Sequence, residues 1–420
     1  MSHAPTPRRV VVTGVGMVTP VGLNAQQTWA SLLACRNGID RIQSLDTEKF
    51  DVHIGGEVRD FDPSRYMDRK NARRYDRFVH FAVAAASMAT EDSGLDLSQC
   101  DRERCGCVVG SGVGGILSME EQMTRFLQRG PGRISALTIP QIMVNCAPGL
   151  IAIEMGLKGL NYAPVTACAT GCHAIGLGMR HIRWGDADVV LCGGSEAGLS
   201  LLSLGGFSNM GALSRRNDDP GRASRPFDKN RDGFVIGEGA GIVMLESLEH
   251  ARARGARIYA ELLGIGFTDD AHHITAPDDT GEGPARAIEL ALAEAGRSPD
   301  QVSYINAHGT STQYNDRVES VAIKRALGEE QARRVKISST KSMIGHLLGG
   351  SGGVEVAVTA LSVYHQKIHG TCNYEEPDPA CDLDYQPNAP TDLAIDTALT
   401  NSLGFGGHNA SLCLGRYQED

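Results

Sequence analysis

Thr166-Ala167-Cys168-Ala169-Thr170-Gly171 stands at a junction: the chain before it reads as a strand ending at Thr166–Ala167, and Thr170–Trp184 reads as a helix. A cysteine at such a junction lies near unpaired backbone N–H groups and the positive end of a helix dipole. Both favour the thiolate, which is the nucleophilic form of the side chain. The small residues on either side permit a sharp turn that projects the sulfur outward, as in nucleophile elbows. A buried structural cysteine would account for the segment equally well, so this stretch leaves two readings open.

Working outward, short β-branched runs alternate with longer alanine-rich amphipathic segments, the pattern of βαβ units around a buried sheet. Val10–Thr13 reads as a strand followed by Gly14-Val15-Gly16, Gln27–Leu33 and Phe78–Asp92 as helices, Cys105–Val109 and Val189–Cys192 as strands. A second series follows the first. Tyr259–Leu263 leads into Gly264-Ile265-Gly266, then come a helix at Gly283–Ala295, strands at Gln301–Asn306 and Val335–Ser338, and a helix at Gly353–Tyr364. The echo of glycines and the matching order of elements suggest an internal duplication with its joint near Gly255–Ile258. The expectation is one domain over 8–415, made of intimately packed halves 8–257 and 258–415.

Composition narrows the class. The chain has 420 residues, 41% hydrophobic and 21% charged, with 50 glycines, which suits a globular α/β enzyme. A formal net charge of −10 argues against nucleic acid as a partner, because binding phosphates requires clustered positive charge. No apolar run approaches the ~18 residues of a membrane span, and Met1–Arg9 lacks the apolar core of a signal peptide. Eleven scattered cysteines fit reduced thiols in the cytoplasm better than a disulfide framework.

Two local motifs carry little weight. Gly110-Ser111-Gly112-Val113-Gly114-Gly115 matches a dinucleotide-binding pattern, but no acidic residue follows at the ribose position about 20 residues on. A structural tight turn is the better reading, and the oxidoreductase it would imply is disfavoured. His272-His273 lacks further ligands for a zinc site.

Two other histidines change the balance at Cys168. Asn306-Ala307-His308-Gly309-Thr310-Ser311-Thr312 and Ser338-Ser339-Thr340-Lys341-Ser342-Met343-Ile344-Gly345-His346 both leave a strand into a polar turn. Each places an imidazole at the carboxyl end of a sheet strand, where open α/β sheets bind ligands. Packing alone does not explain two such histidines beside an elbow cysteine.

These segments, with Asn401-Ser402-Leu403-Gly404-Phe405-Gly406-Gly407, resemble the signature of the ketosynthases, condensing enzymes of the thiolase-like superfamily. Arg69–Asp76, Phe227–Gly239 and Asp270–Pro277 are similar as well, so the resemblance runs from about Arg8 to Gly415. It implies a thiolase-like α/β fold, duplicated halves forming a five-layer α/β/α/β/α sandwich, generally as a homodimer. The paired histidines point to an elongating synthase of the second type. Such an enzyme joins an acyl-[acyl carrier protein] to malonyl-[acyl carrier protein] with loss of CO2 and release of 3-oxoacyl carrier. Alternatives are a ketosynthase of a specialised polyketide pathway and a non-catalytic chain-length partner subunit.

The resemblance also assigns roles. Cys168 is the nucleophile, and His308 and His346 stabilise the enolate. Lys341 orders the site and tunes His308. The backbone amides of Cys168 and Phe405 form the oxyanion hole, with Phe405 as gate. Thr310 and Thr312 meet the phosphopantetheine arm, which belongs to the carrier, so no permanently bound cofactor is expected. Arg69, Lys70, Arg73 and Arg74 supply a basic patch for docking the acidic carrier protein. Some relatives hold a monovalent cation near the positions of Asn306, Glu355 and Asn401.

Overall fold

A computed structural model describes residues 7–419. Its core is a ten-stranded ladder. In chain order the strands are β1 (Val10–Val18), β2 (Cys105–Gly110), β3 (Asn161–Tyr162), β4 (Val189–Glu196) and β5 (Gly239–Ser247). The series continues with β6 (Ala260–Asp269), β7 (Tyr304–Asn306), β8 (Lys336–Ser338), β9 (Thr397–Gly404) and β10 (His408–Gly415). Their spatial order is β3-β2-β4-β5-β1-β6-β10-β9-β7-β8.

The ladder has two halves of the same design. In one, β2 lies parallel to β3 and β4, while β4–β5 and β5–β1 are antiparallel. In the other, β7 lies parallel to β8 and β9, while β9–β10 and β10–β6 are antiparallel. Within the ladder the halves are joined where Val11 pairs with Glu261 and Val12 with Ala260. Helix α1 (Arg77–Ser93) covers β1 and β5, and helix α3 (Glu282–Ala295) covers β6 and β10. Helices α2 (Thr170–Trp184) and α4 (Ser351–His365) fill the space between, α4 touching β4, β5 and β9. The result is the expected thiolase-like layering of helices and sheet.

Three local expectations need correction. Gly14-Val15-Gly16 and Gly264-Ile265-Gly266 are not strand exits but lie within β1 and β6. The reason is steric: a Cβ at Gly16 would stand 1.9 Å from the Ala85 carbonyl of α1, and one at Gly266 1.8 Å from the Ala287 carbonyl of α3. Glycine in each strand thus lets a helix backbone rest directly on the sheet. Thr166–Ala167 does not end a strand, since the nearby strand is only Asn161–Tyr162 and Ala167–Ala169 is a 3-10 turn.

Gly16→Ala and Gly266→Ala should each destabilise the protein by roughly 3 kcal/mol, the upper range for overpacking. Gly149→Ala, where the added Cβ meets nothing within 4 Å, is the matched control; in its helix alanine should be neutral or stabilising by up to ~1 kcal/mol. Chemical denaturation of the three variants checks this, and equal effects would contradict the packing argument.

Candidate active site

The nucleophile position is an elbow held by its own backbone. Ala167 adopts φ +49°, a left-handed conformation costly for a residue with a Cβ. Thr170 Oγ1 accepts the Thr166 amide at 2.9 Å and donates to the Ala167 carbonyl at 2.8 Å, which fixes the bend. Cys168 follows, two residues before α2 begins, and is 8% exposed. The turn Gly404–Gly407 between β9 and β10 closes on it from the other side. A side chain at Gly404 would lie 2.8 Å from the Thr166 carbonyl, and Gly406 and Gly407 have φ +90° and +81°. This approach lets the Phe405 amide donate to the Cys168 sulfur.

Burial corrects the expected thiolate. It pushes the Cys168 thiol up to about 11, against the opposing pull of Lys341 and the Phe405 amide. Burial thus favours the thiol form at rest, while Lys341 and the Phe405 amide favour the thiolate.

Cys168, His308, His346, Thr310, Thr312 and Phe405 line one pocket of about 530 Å³. His308 leaves β7 and Lys341 follows β8, so both lie at carboxyl ends of neighbouring parallel strands. The two imidazoles meet edge to face, with ring centroids 5.3 Å apart. Both lie well below the ordinary histidine range because burial and then the Lys341 charge oppose protonation, with His346 adding to the effect at His308. The His308 tautomer follows from its partner. Lys341 Nζ, which can only donate, lies 3.3 Å from His308 Nδ1, so the His308 proton sits on Nε2. Ser351 Oγ accepts the Leu347 amide at 2.9 Å and lies 2.9 Å from His346 Nδ1. That contact fixes the orientation of the His346 ring. Two neutral imidazoles thereby face one pocket, with the His308 proton on Nε2.

Buried carboxylates, of which only Glu355 was singled out in the sequence, set these loops. Glu319 accepts the His308 and Gly309 amides, each at 2.8 Å, and burial raises it to about 7. Asp316 accepts Thr310 at 3.0 Å and Phe227 at 2.8 Å. Glu355 pairs with the Lys341 ammonium. Glu196 accepts Ser111 Oγ and the amides of Gly112, Val113 and Gly349 at 2.5–3.2 Å. The Gly110–Gly115 motif therefore spends its donors on a protein carboxylate. His273 Nδ1 similarly accepts the Thr275 and Ala276 amides, both at 3.1 Å, and shapes the pocket-mouth loop. For Asp316, Glu319 and Glu355 the sequence hint is an acidic residue in the helix after a histidine turn, a signal too common to single out, and Glu196 at the end of β4 has none.

The remaining expected positions are distributed as follows. The Thr310 and Thr312 hydroxyls lie 3.0 Å apart at the pocket wall. The Phe405 ring faces Phe207 with centroids 6.3 Å apart. Arg69, Lys70, Arg73 and Arg74 are exposed on and beside a short helix, and none joins an ion pair among the described residues. The Gln141 side chain donates to the Arg74 carbonyl at 2.8 Å. Asn306 donates to the Glu355 carbonyl at 3.3 Å, and Asn401 donates to Glu319 at 3.3 Å.

Residues 7–251 match the family model "Beta-ketoacyl synthase, N-terminal domain", and 259–375 match "Beta-ketoacyl synthase, C-terminal domain". The chain belongs to the β-ketoacyl synthase family. A 3-oxoacyl-[acyl-carrier-protein] synthase 2 of Synechocystis sp. is 51% identical over 98% of this chain and 99% of its own length. The enzyme of the same name from Staphylococcus aureus strain COL is 47% identical with the same coverage. Among solved structures, a β-ketoacyl synthase from Burkholderia phymatum superposes with TM-score 0.91 at 34% identity, over 98% of this chain and all of that one. A ketosynthase of a type II polyketide system, solved with its acyl-carrier protein and bound to a hexaketide, gives 0.91 at 38%, over 98% and 100%.

Because only the thiolate alkylates, Cys168 labelling by iodoacetamide should rise about tenfold per pH unit between about pH 7 and pH 9. Peptide mass spectrometry of the Cys168 fragment follows this. A plateau near neutral pH would mean that burial does not govern this thiol.

Proposed function

We propose that the chain catalyses the chain-elongating step of fatty acid synthesis. Acyl-[acyl carrier protein] and malonyl-[acyl carrier protein] give 3-oxoacyl-[acyl carrier protein], CO2 and free carrier. The observation carrying this reading is one pocket that holds a cysteine elbow and two buried imidazoles whose protonation is opposed by burial and by Lys341. Cys168 attacks the incoming thioester, and the amides of Cys168 and Phe405 hold the tetrahedral oxyanion. Malonyl decarboxylation then develops negative charge on the thioester oxygen. A neutral donor suits this task, since it stabilises the enolate without delivering a proton that would quench it. Lys341 acts through His308, holding Nδ1 as acceptor. Such an arrangement serves catalysis, not the role of a non-catalytic partner subunit.

Thr310 and Thr312 offer hydroxyls to the phosphopantetheine arm, and the unpaired cluster Arg69, Lys70, Arg73 and Arg74 offers its charge to an acidic carrier surface. A homodimer is supported by the open edge of β3 and by exposed Leu127, Ile139 and Ile153 on neighbouring helices. No helix among the described residues is long and apolar enough to cross a membrane, which suits work in the cytoplasm. The buried Glu355 Oε2 has no hydrogen-bond partner. A monovalent cation held there with the side-chain oxygens of Asn306 and Asn401 would give that oxygen a partner. Likeness to the polyketide ketosynthase keeps longer, oxygenated chains as the second reading, and product analysis with a panel of acyl primers separates the two.

Cys168→Ala should abolish the acyl-enzyme adduct seen by mass spectrometry with the fold intact. His308→Ala and His346→Ala should keep acyl transfer but lose about 10²–10³ in decarboxylation, the usual cost of one preorganised donor. Labelled CO2 release from malonyl carrier measured beside adduct yield checks the division. Wild-type CO2 release by His346→Ala would remove that histidine from the enolate site.

A further inference from the structure

The cysteine elbow is tied from behind by an imidazole. His173 lies on the first turn of α2, and its Nδ1 stands 3.0 Å from Thr166 Oγ1 and 3.1 Å from the Ala169 carbonyl oxygen. A carbonyl oxygen can only accept, so Nδ1 carries the proton and donates. The Thr166 hydroxyl oxygen accepts the other branch of a three-centre bond. One ring thus holds both the residue two before Cys168 and the residue after it. The ring itself is fixed by packing against Phe267 of β6, with centroids 4.3 Å apart and planes tilted by 43°. Phe267 fits there because α2 carries a glycine at 176, where a Cβ would stand 2.4 Å from Phe267 Cζ. Burial draws His173 down to about 4, so the imidazole is neutral near neutral pH. What it gives the elbow is a direction, not a charge.

That direction reaches the Cys168 amide. The Ala169 amide donates to the Thr166 carbonyl at 3.0 Å and closes the turn around Cys168. Thr170 Oγ1 holds the Ala167 carbonyl, and in a trans peptide the Cys168 N–H points opposite to that carbonyl. The Gly404–Gly407 turn rests on the same peptide groups. A Cβ on Gly404 would lie 2.8 Å from the Thr166 carbonyl oxygen, 3.1 Å from the Ala169 nitrogen and 3.3 Å from the Cys168 nitrogen. Phe405 follows at once. The spacing of the Cys168 and Phe405 amides therefore depends on where Thr166 and Ala169 sit, and His173 holds both.

We propose that His173 is a positioning residue for the oxyanion hole: its Nδ1–H fixes Thr166 and Ala169 so that the Cys168 amide faces the developing oxyanion beside the Phe405 amide. This rests on the acyl-transfer reading above and adds to it a residue that is not among those lining the pocket. Attack on a thioester builds charge on oxygen and needs both amides. Alkylation of the sulfur by iodoacetamide builds no such charge and needs only the thiolate. A loosened hole therefore slows the first reaction and spares the second. Collapse of the elbow would change both.

The test compares the full-length wild type with His173→Gln and His173→Asn. Acyl-enzyme formation is followed over a range of acyl-[acyl carrier protein] concentrations, and iodoacetamide labelling of Cys168 is followed in parallel at one pH. Asparagine can place an amide N–H where Nδ1–H stands, whereas glutamine places it farther out, toward Nε2. His173→Gln should acylate about 10- to 100-fold more slowly at saturating donor, with the half-saturating concentration unchanged, the scale of a small misplacement of a catalytic donor. Its Cys168 labelling should match the wild type, and His173→Asn should recover most of the lost acylation rate. Acylation by His173→Gln at the wild-type rate, labelling that falls in step with acylation, or His173→Asn as slow as His173→Gln each overturn the proposal. A wild type that forms no acyl-enzyme overturns instead the acyl-transfer reading beneath it.

Discussion

The site depends on backbone amides that terminate on buried carboxylates. A strand exit leaves its first amides without ladder partners, and burying them unpaired would cost about 1–3 kcal/mol each. Glu319 takes the two amides around His308, and Asp316 takes Thr310 and Ser311 beyond them. Glu196 takes the amides of Gly112, Val113 and Gly349 behind the cysteine elbow. Each carboxylate thus joins segments distant in sequence at a single point. The imidazoles and the sulfur are aimed by these backbone clamps more than by contacts of their own.

Such clamping concentrates negative charge in a dry interior, and this shapes the electrostatics of the pocket. Glu196, Asp316, Glu319 and Glu355 are all raised by burial first. Against them stand Arg231, beside Asp316 at 3.7 Å, and Lys341, paired with Glu355. A buried pair of this kind contributes little net stability, because desolvation offsets attraction. Its value here is directional. Lys341 turns one face of His308 into a fixed acceptor and depresses protonation of both imidazoles. Charge that would be a liability for folding becomes the means of keeping two neutral imidazoles in place.

Much of this was legible in the sequence. Cys168, His308, Lys341 and His346 announced themselves because reactive side chains in glycine-rich turns have no good packing explanation. The α/β order and the repeated glycine pairs were equally visible. The function of those glycines was not, because Gly16 and Gly266 punctuate nothing: they sit mid-strand, where a helix carbonyl requires the space. The carboxylates were hidden for a different reason. Glu319 and Asp316 look like ordinary polar positions on an amphipathic helix, and only the fold turns that helix face toward the His308 loop. The thiol state of Cys168 failed for a third reason: local motif chemistry predicts the helix terminus but not the depth of burial.

The crossing of α2 and α4 explains why the chemistry sits where the halves meet. A Cβ on Gly171 would lie 2.5 Å from the Gly353 amide, and one on Gly352 would lie 2.5 Å from the Cys172 amide. Backbone therefore packs on backbone at the two helix starts, with no side chain to act as a spacer. The first half delivers Cys168 one turn ahead of α2. The second half uses the start of α4 differently: Ser351 fixes His346, and Glu355, one turn on, fixes Lys341. Equivalent helix ends thus carry different duties, nucleophile on one side and tautomer control on the other. Because the glycines bring those ends to van der Waals contact, sulfur and imidazoles share one pocket without any loop having to reach across.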